Sequence, residues 1–289
     1  MAEIQRKPVD LRPFFRFRVR IANTRYFSLN KPETLPAEDN RAYVTALARG
    51  LSVMKAFDEQ NAQLTLSEVA RIVGLPRASA RRALLTLEML GYVTSNGRLF
   101  SLSPQVLTLA RAYLASSPVP RVAQGFLENV SETLGESCSL SILHGAEVIY
   151  IARSTRKRIG SLHRDVGAHL PAHCTSMGRV LLAAVTDGEL DTFLARVSLN
   201  SFTPYTVTDK GELRGILEKT RRNGYSLVDQ ELEIDLRSIA VPVHNASGRV
   251  IAGMNVSAQA SRTPKKQLVD RFLPALRDAA MKMRPLLIG

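Results

Sequence analysis

Arg77, Arg81 and Arg82, with Ser79 beside them, fall within six residues of the stretch LTLSEVARIVGLPRASARRALLTLEMLGYVTSNGRLFS, residues 64–101. Guanidinium groups clustered in this way suit one chemistry. Each offers a planar fork of donors that matches the acceptor edge of guanine or the oxygens of a phosphate. A second set of residues lies in the other half of the chain. Ser176, Ser238, Asn255 and Ser257 are small hydroxyl and amide side chains among apolar neighbours, a mixture that can hold a carboxylate or phenol without a fixed charge pair. A third set, His169, His173 and Cys174, has the elements of a metal or nucleophile site. However, an H-x₃-H pair needs a helix to face both rings one way, and Pro171 stands between them. No HExxH, CxxC, P-loop or GxSxG pattern supports catalysis. No catalytic residue, metal or cofactor is therefore expected, and His173 and Cys174 read as wall or structural residues. The acidic run Asp229, Glu231, Glu233 and Asp235 reads as solvated.

The elements that must position the arginines are legible. Thr65 and Glu68 form a T-x-x-E capping box, so a first helix starts at Leu66. Gly74 supplies its left-handed end, and Pro76 suits the first turn of the next helix. That second helix carries Ala80, Ala83, Leu84, Leu87 and Leu90 on one inward stripe, which leaves the arginines outward. Tyr92–Thr94, the turn Ser95-Asn96-Gly97 and the strand 98–101 make a hairpin with Arg98 at its tip. The whole is a winged helix-turn-helix, with Thr65 and Ser67 completing the candidate DNA-contacting set. Val44, Leu47, Leu51, Met54 and Phe57 describe an amphipathic helix ahead of it.

Of the 289 residues 45% are hydrophobic, and the net charge is +13. That balance favours a polyanionic partner. Residues 41–116 hold nine Lys/Arg against four Asp/Glu, so this excess falls where a DNA surface needs it. Two cysteines cannot form a disulfide framework, nothing reads as a secretory signal, and no apolar run approaches a membrane span. A cytoplasmic protein without membrane contact is expected. The boundaries read as a basic N-terminal arm (1–40), the winged helix (41–103), a linker helix (104–117) and a second domain (118–289). In that domain strand patterns at 137–143, 147–153, 159–164, 225–228, 238–244 and 249–258 alternate with helices at 119–134, 176–185, 187–196, 209–223 and 264–287. Hairpins mixed with helices predict an α+β fold with a largely antiparallel sheet.

Four segments together carry a family resemblance: the winged helix at 43–101, LPAHCTSMGRVLLAA (Leu170–Ala184), GYSLVDQELEIDLRSIAVPV (Gly224–Val243) and IAGMNVS (Ile251–Ser257). In this order they resemble an IclR-type transcriptional regulator, with wording nearest to the branch that controls aromatic-acid degradation. The resemblance implies a GAF-like effector domain, and dimers that pair into tetramers on palindromic double-stranded operators. It implies a small organic acid, bound by Ile159, Leu162, Ser176, Met177, Val228 or Asp229, Ser238, Asn255 and Ser257. Asp235 stands where many members have Gly. The alternatives from other classes are a constitutive DNA-binding protein whose second domain serves only assembly, and a metabolite-converting enzyme.

Overall fold

A computed structural model describes residues 43–58, 60–156 and 165–288. The candidate arm (1–40), the strand expected at 159–164 and the site residues Ile159 and Leu162 lie outside these described residues. The chain divides into two compact units, one ending at Gln105 and one beginning at Val106.

The first unit contains α1 (Thr45–Met54), β1 (Leu64–Thr65), α2 (Leu66–Val73), α3 (Arg77–Met89), β2 (Val93–Ser95) and β3 (Leu99–Leu102). The capping box forms as read. Thr65 Oγ1 accepts from the Glu68 N–H at 3.3 Å, and Glu68 Oε2 accepts from the Thr65 N–H at 2.8 Å. Gly74 ends α2 at φ 66°, a conformation cheap only without a Cβ. Pro76 is the N-cap residue of α3 rather than its first helical one. Ala80, Leu84 and Leu87 are buried against Val53, Val69 and Val93. Leu90 departs from the expected stripe. It caps α3 and is 61% exposed, because the helix ends before its turn reaches the core. The helix ahead of the motif differs in the same way: Val53, Ala56 and Phe57 enter the core, whereas Val44, Leu47 and Leu51 stay exposed. Periodicity marks an apolar face but not what the face meets. The strands pair in the order β1-β3-β2.

The second unit opens with α4 (Val106–Ser116), the helix set apart in sequence as a linker, none of whose residues is buried. α5 (Pro118–Leu134) follows. Among the described residues six antiparallel strands then build one sheet: β4 (Ser137–His144), β5 (Glu147–Ser154), β6 (His169–Pro171), β7 (Ser226–Asp229), β8 (Leu236–His244) and β9 (Val250–Gln259). Their order is β6-β5-β4-β9-β8-β7, and the α+β expectation stands. Between β6 and β7 run α6 (Ser176–Leu182), α7 (Asp187–Arg196) and α8 (Lys210–Asn223). The chain closes with α9 (Lys265–Gln267), a π-helical turn (Leu268–Phe272), α10 (Leu273–Met283) and a 3₁₀ turn. One sheet face carries Leu140, Ile239, Val241 and Met254 into a core with α5 and α10. The opposite face receives α6, whose seven residues are all buried.

That helix lies so close to the chain leading into it that only glycine fits at one point. A Cβ on Gly178 would stand 2.1 Å from the Ala172 carbonyl oxygen. Gly178→Ala is expected to destabilise the second unit by about 1–3 kcal/mol, seen as a lower denaturation midpoint at unchanged m-value.

Candidate functional site

The arginines sit where the sequence puts them. Arg77 is the first residue of α3, Arg81 lies one turn on, Arg82 adjoins it, and all three are exposed, with Ser79 half-buried. The first two turns of α3 therefore present guanidinium groups to solvent on a helix whose other side is locked into the core. Ser67 is exposed on the first turn of α2. Thr65 is committed differently: its hydroxyl is engaged by Glu68 on both sides of the cap. The bonds from Thr65 to Glu68 hold that carboxyl below its ordinary range.

At the hairpin tip Asn96 Oδ1 accepts from the N–H of Arg98 at 3.2 Å and of Leu99 at 2.9 Å, and Ser95 Oγ accepts from Gly97 N–H at 3.0 Å. This side-chain scaffold holds Arg98 outward and exposed. Arg98→Ala is expected to act mainly through phosphate charge. The slope of log affinity against log salt should then fall by about one unit. An unchanged slope in a salt titration would leave the hairpin a structural feature only.

In the second unit strand register brings the polar side chains together. Val228 lies opposite Ser238, Ser238 opposite Ser257, and Ser257 opposite Ser137. The next row runs Ala240, Asn255, Ser139 and Arg153. Residues directly opposite one another share a face, so Asn255 and Ser257 point the same way, as their alternate spacing predicts. This face looks onto a narrow cavity of ≈ 20 Å³ lined by Tyr150, Leu170, Cys174, Thr175, Val228, Leu232, Leu236, Ser238, Asn255 and Ser257. That is room for about one water. Asn255 Nδ2 donates to Ser257 Oγ at 3.2 Å, while the buried Asn255 Oδ1 has no partner among the described residues.

Three expected site residues are placed elsewhere. Ser176 and Met177 are buried in the first turn of α6 but do not line the cavity. The preceding Cys174 and Thr175 do so, because the helix has already rotated the later residues inward. Met177 Sδ accepts from Ser141 Oγ at 3.2 Å, and Ser176 Oγ is buried without a partner among the described residues. Asp229 points away from Val228 by strand alternation. It pairs with Arg237 at 2.6 Å and Lys265 at 2.8 Å. Burial opposes its charge, but those two bonds prevail and hold the carboxyl below its usual range.

The acidic run is not uniformly solvated. Glu231 is buried, 7% exposed, and joined bidentately to Arg179, itself 2% exposed, at 2.7 and 2.6 Å. No local pattern announces a partner 52 residues away. Asp235 adopts φ 64°, the left-handed conformation that Gly would take freely and Asp tolerates. Its carboxylate accepts from the Ser261 N–H at 2.7 Å and hydroxyl at 3.0 Å, which fixes the chain entering β8 just before Ser238.

Tyr150, Leu170, Thr175, Leu232 and Leu236 were not anticipated in the cavity. Alternation along β5 was the one signal for Tyr150, and the N-cap position the signal for Thr175. His173 packs against Phe202 and meets the Asn200 carbonyl at 3.2 Å. Its burial, reinforced by nearby Arg179, keeps the imidazole below its ordinary pKa although the Asn200 bond opposes this. His169 faces Glu147 at 3.0 Å, so the two histidines do not converge. No group of metal-ligating side chains occurs among the described residues, and no helix among them is long and apolar enough to cross a membrane.

Two family models match. That of the IclR helix-turn-helix domain covers residues 46–97, and that of the bacterial transcriptional regulator IclR C-terminal region covers residues 111–284. The Pca regulon regulatory protein of Pseudomonas putida is 45% identical over 248 residues, 86% of this chain and 85% of that one. A solved transcriptional regulator from Rhodococcus sp. RHA1 is 44% identical, with a TM-score of 0.75 over 85% of this chain and 98% of that one. A solved IclR homolog from Microbacterium hydrocarbonoxydans, complexed with 4-hydroxybenzoate, is 26% identical, with a TM-score of 0.70 over 83% and 98% of the two chains. The chain belongs to the IclR family of bacterial transcriptional regulators.

Proposed function

We propose that this regulator reads a palindromic operator through α3 and the β2–β3 hairpin, and that a small aromatic acid bound in the second unit changes its grip. The arginine-bearing turn of α3, with Arg98 on the wing, is the DNA-facing surface. It would enter the major groove N-terminus first while the wing flanks the duplex. A palindrome calls for two such readers in one assembly, hence a homodimer or a pair of dimers.

The observation that carries the ligand half of the reading is the polar patch on the sheet. Ser238, Asn255 and Ser257 converge on a mostly apolar cavity, with a buried amide oxygen that has no partner among the described residues. Buried polar groups are nearly always bonded, and a hydroxylated aromatic acid supplies both a donor and acceptors of the required kind. The named relatives support the same ligand class: one regulates the Pca regulon, and another was solved with 4-hydroxybenzoate. Ligand energy reaches the DNA only if the acid distinguishes two arrangements of the readers.

Thermal denaturation with a panel of hydroxybenzoates and aliphatic acids tests the assignment. A ligand of the folded state raises the melting temperature with concentration and should shift operator affinity in parallel. Stabilisation by none of the aromatic acids would leave a DNA-binding protein whose second unit serves assembly alone.

A further inference from the structure

We propose that Arg179 and Glu231 are a positioning pair that sets the spacing of two cavity walls and thereby the size of acid the regulator accepts. This rests on the reading of the cavity as an effector site. Arg179 belongs to α6, and its Nε donates to the His173 carbonyl at 2.7 Å, one residue before Cys174 in the first wall. Glu231 adjoins Leu232 in the second wall. The fork between them, at 2.7 and 2.6 Å, links the two wall segments.

The far side of Glu231 is held as firmly. Its carboxylate accepts from Val207 N–H at 3.1 Å, and its carbonyl accepts from the hydroxyls of Thr203 and Thr206. The pair is therefore tied to the backbone beside Cys174 at one end and to the segment 203–207 at the other. Ion pairs this deeply buried gain little stability over apolar side chains of similar volume. What such a pair does supply is direction, since a guanidinium fork fixes both distance and angle in a way that a lone ammonium does not.

The decisive variant is R179M/E231L, which replaces the fork by apolar volume so that the protein folds without the link. Binding of 4-hydroxybenzoate and of 6-hydroxy-2-naphthoate to the full chain is measured by calorimetry, with thermal denaturation alongside. The wild-type protein should prefer the single ring by at least about a hundredfold. In the double variant that preference should fall below about tenfold, with the melting temperature nearly kept. R179K, which retains charge but not the fork, should lie between them, and it decides the matter if the double variant does not fold.

A folded variant with the wild-type preference would overturn the pair's role and leave the cavity assignment standing. Failure of the wild-type protein to bind either acid would overturn the cavity assignment and the proposal with it.

Discussion

Replacing Arg77, Arg81 or Arg82 with Ala is expected to weaken operator binding about 5–150-fold for each residue that reads a base, the equivalent of about 1–3 kcal/mol. The first two turns of α3 carry these side chains outward, while Ala80, Leu84 and Leu87 anchor the other side of the helix. Their loss should therefore leave the fold intact. The pattern of loss separates the roles. A base-reading arginine relaxes preference at one operator position, whereas one that meets phosphate weakens all sequences alike and flattens the salt dependence. Gel-shift titration against a set of single-position operator variants distinguishes them. Wild-type affinity in all three proteins would remove α3 as the reading helix.

Ser238→Ala and Asn255→Ala are each expected to lower effector affinity by one to two decades, and to leave effector-free operator binding near wild type. The Ser238 hydroxyl would donate to the buried carboxylate, worth about 1.5–3 kcal/mol, and loss of the Asn255 amide oxygen would leave the ligand's buried hydroxyl unpaired, worth about 1–3 kcal/mol. Ser257→Ala should follow them. It acts both directly and by releasing the Asn255 amide, which donates to its hydroxyl. Calorimetric titration with 4-hydroxybenzoate, run beside operator binding, reads both halves. If effector affinity is untouched in Ser238→Ala and Asn255→Ala, the ligand lies elsewhere.

What the sequence disclosed depended on whether the governing interaction was local. The capping box at Thr65, the left-handed Gly74 and the span of α7 follow from residues within a few positions of one another, and all are found. The two-residue period of β9 is local in the same sense, and it alone suffices to put Asn255 and Ser257 on one face. Glu231 shows the limit, because its alternating acidic neighbours look like a solvated loop and only the path of the chain brings Arg179 to it. Ser176 and Met177 illustrate a smaller gap. The segment entering α6 does reach the cavity and the helix starts at Ser176 as read, but which of its side chains line the cavity depends on how α6 packs against the sheet. Leu47 and Leu51 show a third kind, in which apolar spacing revealed a face but left its partner unstated.

The narrowness of the cavity has a consequence for how the regulator measures its surroundings. On the proposed reading, the walls of this ≈ 20 Å³ cavity must part to admit a ring, so binding selects an open arrangement. Apparent affinity is then the intrinsic affinity scaled by the fraction of molecules in that arrangement. The metabolite concentration at which genes respond becomes a property of how firmly the empty protein stays shut. Selection can move that threshold through substitutions that loosen or tighten the closed form, without altering any atom that touches the acid.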